Sequence, residues 1–139
     1  MKTLLKSAAA AVMLAVSVSQ TSVARPAMKG GWYDPQTVET VAGEVISVDK
    51  VAYAARGYYG IHLVLKTHDG EILVYLGPSW FLDRQTLKLA PRDVIEVTGS
   101  RVIDKDKPAL IAAQIKRGNE SLRLRSAEGL PLWRGSTAR

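Results

Sequence analysis

The chain contains no cysteine, one phenylalanine and two histidines in 139 residues. The missing thiols exclude a disulfide framework, thiolate metal sites, covalent c-type haem and a cysteine nucleophile. They also exclude a lipid-modified cysteine behind a leader. After the first 24 residues no run approaches the roughly 18 apolar residues of a membrane span. Gly-rich phosphate-binding signatures and glycine-flanked serine elbows are missing too. The two histidines, His62 and His68, do not have metal-ligand spacing. These gaps leave no constellation for catalysis, so the expectation is no catalytic residue, no metal and no cofactor.

What is present starts with an address. Lys2 and Lys6 precede an Ala-rich apolar run, Ala8 to Val18, and a polar stretch ends in Ser22-Val23-Ala24. This is the layout of a secretory signal peptide, with cleavage expected between Ala24 and Arg25. Removing it leaves 115 residues, enough for one compact domain. The expected compartment is the periplasm or the exterior. The formal charge of +6 falls to +4 with the leader gone, a mild basic bias. In an exported protein it suits a protein partner or an anionic surface better than nucleic acid.

The remainder reads as β-structure. Residues 25–37, with two prolines and Gly30-Gly31, suggest an extended arm. A strand is expected from Val38 to Val48, bent at Gly43, and a loop over 49–59. Ile61, Leu63 and Leu65 alternate with His62, Val64 and Lys66, and beyond Asp69-Gly70 Ile72, Val74 and Leu76 alternate with Leu73 and Tyr75. A type I′ turn at Asp69-Gly70 would pair Leu65 with Val74 and Leu63 with Leu76. Ser79 could cap a short helix near 79–87. Further strands are expected over 94–102, bent at Gly99, over 108–115 and over 122–125, and Pro131-Leu132-Trp133 should pack back. The order predicts an all-β fold, a small five-stranded OB-like barrel with one short helix, over residues 38–135, with a short tail at 136–139. A small sandwich is the alternative.

The candidate binding face combines Tyr53, Arg56, Tyr58 and Tyr59 of the first loop with His62, Lys66 and Tyr75 on the outer side of the hairpin. Aromatic area with basic charge suits a partner surface, although the same residues could pack under the loop or line a solvated sheet. Trp80 and Phe81 are expected to fill the core.

Several segments resemble a family. They are Val38-Glu-Thr-Val-Ala-Gly-Glu-Val, Tyr75-Leu-Gly-Pro-Ser-Trp-Phe, Val94-Ile-Glu-Val-Thr-Gly-Ser-Arg-Val, Ala109-Leu-Ile-Ala-Ala, Leu122-Arg-Leu-Arg and Gly129-Leu-Pro-Leu-Trp-Arg-Gly. Together they are similar to the N-terminal domain of the magnetosome proteins MamS and MamX, over residues 38–135. The resemblance implies an OB-like domain on the periplasmic side of a bacterial inner membrane, associated with redox or metal-handling assemblies, and the missing catalytic constellations make a non-enzymatic binding or accessory module the expected function. MamX-type proteins add a haem-binding Cys-x-x-Cys-His motif. Without cysteine, that role does not carry over. A nucleic-acid-binding OB protein is the competing function.

Overall fold

The computed structural model describes residues 33–53 and 57–134. The expected leader and its cleavage site at Ala24 and Arg25 lie outside the described residues, as does Arg56. Six strands and one short helix follow a single 3₁₀ turn at Pro35–Thr37: β1 (Val38–Tyr53), β2 (Tyr58–Thr67), β3 (Gly70–Pro78), α1 (Ser79–Leu82), β4 (Val94–Asp104), β5 (Lys107–Arg117) and β6 (Glu120–Arg123). β1 pairs with both β2 and β4, β2 with β3, and β4 with β5, all antiparallel. A parallel pairing of β3 with β5, at Leu73–Tyr75 against Ala109–Ile111, joins the two ends. The five strands therefore close into a ring, as the sequence predicts, and β6 adds to β5 outside it.

Period-2 alternation decides which side chains fill the ring. Val45, Leu63, Leu65, Val74, Leu76, Val97, Leu110 and Ile115 are all buried in one core. β5 is different, because Ala109 through Ala113 are buried on both faces. A smaller outer cluster of Val102, Ala109 and Ile111 accounts for this, covered by Tyr33, Leu73 and Tyr75. Within the segment expected as an extended arm, residues 33–37 dock on the barrel. The Asp34 N–H donates to the buried Ser100 Oγ at 2.9 Å, and Thr37 Oγ1 lies 2.8 Å from the same oxygen.

Four local expectations are corrected. The hairpin turn is His68-Asp69, not Asp69-Gly70, so Leu65 faces Ile72 and Leu63 faces Val74. Thr67 decides this: its Oγ1 accepts from the Asp69 N–H at 3.1 Å and donates to the Gly70 carbonyl at 2.7 Å. The slip is two residues, which keeps every side chain on its expected face. Second, most of the expected loop 49–59 is strand, with Tyr53 opposite Tyr58. Third, α1 is a single turn whose N-cap is Pro78. Ser79 sits inside it, buried, and caps nothing. Fourth, the last strand ends at Arg123, and Arg125 instead forms an isolated bridge to Pro131.

The chain end wraps back as expected. Trp133 packs against the core and lies 5.5 Å from the Phe81 ring, while its edge rests on Gly77, where a Cβ would come within 2.9 Å of the indole. Arg125 lies between Trp133 and Tyr33, 5.1 Å and 5.8 Å from the two ring centroids. Its Nη1 donates to the Gly129 carbonyl at 3.0 Å, but its Nε is buried without a partner among the described residues.

Candidate functional site

Where β1 and β2 run past the core, their outer face carries rings rather than aliphatics. Tyr53 and Tyr58 are direct cross-strand partners with ring centroids 6.1 Å apart. The Tyr53 ring lies over Gly60, where a Cβ would meet Cε2 at 2.1 Å, and this lets it reach the next outward residue, His62. The Tyr53 hydroxyl and His62 Nε2 share a 2.6 Å hydrogen bond. His62 in turn stands edge-on to Tyr75 of β3, 4.5 Å between centroids at an interplanar angle of 89°. The Tyr75 hydroxyl donates to Asp104 Oδ2 at the end of β4. Tyr58, Tyr53, His62, Tyr75 and Asp104 thus form one continuous ladder.

Electrostatics act on two members of this ladder, His62 and Tyr75. Burial holds His62 below its ordinary value, opposed by Asp104 and Asp49, while Lys105 lowers it further. Burial, the hydrogen bond to Asp104 and that carboxylate's charge push Tyr75 well above the phenol range. Tyr75 therefore remains a protonated donor at any physiological pH. The histidine favours its neutral form. Rings held by shared hydrogen bonds present a fixed apolar surface, with the Tyr75 hydroxyl held as a donor to Asp104.

The structure brings together four of the seven residues expected on this face: Tyr53, Tyr58, His62 and Tyr75. Tyr59 is adjacent to Tyr58 in the strand and so faces the other way. It is 51% exposed, with Lys50 Nζ 5.2 Å from its ring centroid. Lys66 shares the outer face but lies at the far end of β2, opposite Glu44 and Glu71. Its charge is thereby offset. Phe81 packs on the core as expected, whereas Trp80 is half-buried and faces Arg84 at 5.3 Å. Asp104 opens the charged run Asp104-Lys105-Asp106-Lys107 and is not among the seven expected face residues. Only the parallel β3–β5 pairing carries that run to Tyr75, and no local spacing encodes it. No group of three or more His, Cys, Asp or Glu side chains that could hold a metal occurs among the described residues.

A barrel with a polar-aromatic ladder on one flank is compatible with many proteins, and the family comparison narrows this. The profile of the MamS/MamX magnetosome protein family matches residues 37–122. The chain belongs to that family. The match runs from the 3₁₀ turn into β6 and so contains the whole ring and the whole ladder. No curated protein matches the chain. No helix among the described residues of this MamS/MamX-family chain is long and apolar enough to cross a membrane.

Proposed function

We propose that this MamS/MamX-family protein is a non-enzymatic accessory module of the magnetosome, exported through its N-terminal leader, which binds a protein partner through the ladder face. The observation that carries the reading is the Tyr58–Tyr53–His62–Tyr75–Asp104 chain. It fixes three tyrosines and an imidazole on an accessible flank before any partner arrives. Pre-ordered rings give contact area at little entropic cost. Asp49 and Asp104 flank His62. Carboxylates there oppose a phosphate backbone, which argues against the nucleic-acid alternative.

The test places a photo-crosslinking residue at Tyr58 and, as control, at Thr86, in cells that form magnetosomes. Expected is a discrete protein adduct at Tyr58 that disappears when His62→Ala is added to the folded protein. Identical adducts from both positions, or an adduct to nucleic acid, would overturn the reading. Export is checked separately by intact mass, with Arg25 expected as the first residue of the mature protein. A product retaining Met1 would remove the compartment assignment.

A further inference from the structure

At the other end of β2 the barrel wall splits. β1 pairs with β4 along Val38–Glu44, but its pairing with β2 begins only at Glu44 opposite Lys66. Among the described residues, no strand lies against the β2-facing edge of β1 along residues 38–42. Gly43 marks the parting, since a Cβ there would lie 2.3 Å from the Lys66 carbonyl oxygen. Beyond it opens a cleft of about 560 Å³. Glu39–Ala42 form one wall and Thr67–Ile72 the other, with Arg101 and Pro108 completing the lining.

We propose that this cleft takes an extended peptide segment bearing Lys or Arg side chains, which adds as a strand to residues 38–42 of β1. Five residues of open edge span roughly 17 Å, the length of an ordinary strand. An unpaired edge offers its backbone N–H and C=O groups to whatever extended chain reaches it. In such strand addition the main chain supplies affinity and alternate side chains supply specificity. Charge selects the occupant. Glu39, Asp69 and Glu71 line this cleft with Arg101 and His68, and Lys66 stands opposite Glu71, so carboxylates still outnumber the fixed cations there although the whole chain is net +6. Arg101 donates twice to Glu39 Oε1, at 2.9 and 2.5 Å, which leaves Oε2 for an incoming ammonium or guanidinium. A second copy of the chain on the same edge would bring two sets of these carboxylates together. A basic segment from a different protein would meet them favourably. This surface is separate from the ladder, and its test is independent of it.

The probe is a blocked heptapeptide of alternating Lys and Val, titrated into the full chain while backbone amide shifts are followed by NMR. Shifts are expected in residues 38–42. Two further peptides carry N-methyl groups on all Lys or on all Val residues. A strand paired along one edge directs alternate N–H groups toward the protein, so one peptide should bind and the other should not. The Asp69→Asn/Glu71→Gln variant changes exposed side chains only, and should weaken binding by about tenfold at low salt. The Glu/Val counterpart peptide should not bind. Equal binding of both methylated peptides, equal binding of the acidic peptide, or β1 amides that do not move would each overturn the proposal. So would an edge-paired dimer in sedimentation that the Lys/Val peptide does not dissociate.

Discussion

Arg125 shows how one residue can hold the segment before β1 and the segment after β6 together over a barrel. Its guanidinium is desolvated between Tyr33 and Trp133, and burial pulls its pKa below the usual arginine value. A cation between two rings at such a site stabilises by about 1–2 kcal/mol. Arg125→Ala should lower unfolding free energy by about that amount in a urea melt; no change would mean that the unpaired Nε cancels the gain. His62 and Tyr75 make predictions of opposite sign. The folded state favours neutral His62, so it binds fewer protons than the unfolded chain, whose imidazole titrates near 6.5. Stability contributed by this group is present above pH 6.5 and is lost as pH falls toward the depressed folded value. The urea midpoint should drop between pH 7 and 5, and His62→Gln should flatten that slope. Tyr75 is raised from 10.0, so its contribution holds below pH 10 and is lost as the unfolded chain ionises above it. Tyr75→Phe should reduce the alkaline loss of stability measured between pH 9 and 11.

At the scale of elements, turn chemistry sets what the strands can do. The β4–β5 turn places Lys105 at φ 50° and Asp106 at φ 66°, both left-handed, which is the pattern of a type I′ turn. Neither residue is a glycine or asparagine, and a side chain held there costs about 1 kcal/mol. Asp106→Gly should raise stability by about 0.5–1 kcal/mol by calorimetry, and a fall would show that Asp106 has a contact role. The loop before β4 is held by Arg117, which donates to the Lys88 carbonyl and to Asp93 Oδ2, both at 2.8 Å. The Asp93 carboxyl also accepts the Ala90 N–H at 2.9 Å, and these two contacts hold it below the usual carboxylate range. This anchoring should weaken as pH falls below about 4, where the unfolded carboxyl protonates. Protection of the 88–93 amides, relative to their intrinsic exchange rate at each pH, should fall there before the barrel opens. Gly43→Ala would force β1 away from the Lys66 carbonyl and should cost about 2–4 kcal/mol.

For the whole molecule, the closing contact is between strands distant in sequence. The β3–β5 pairing joins residues 73–75 to 109–111, and the tail then lays Trp133 across Gly77 and Phe81. Removing that indole exposes the core beneath it. Trp133→Ala should cost about 3 kcal/mol, and it should also loosen Tyr33 by taking away one ring from Arg125. Loss of cooperativity in the melt, rather than a shift of it, would show that the tail is a separate folding unit.

The sequence alone determined the class and the inner surface. Alternation in 61–65, 72–76, 94–97 and 122–124 names the buried face, because a strand has only two sides and water excludes the apolar one. A glycine inside a strand pattern signals a bulge or a close backbone approach, and Gly99 lies at a register shift while Gly43 lies against the Lys66 carbonyl. The hairpin register was not legible, since Thr67 chose the turn through hydroxyl bonds that no hydrophobic period reports. The extension of β1 and β2 to Tyr53 and Tyr58 was hidden too, because ring pairs rather than a core hold it. Tyr53, His62 and Tyr75 could be picked out by residue type. Asp104 joined them only when a parallel pairing brought the β4–β5 turn beside β3. Local patterns fix which face of a strand is apolar. Which strand stands next to which is a matter of closure, and closure placed the ladder, the clasped tail and the open edge of β1.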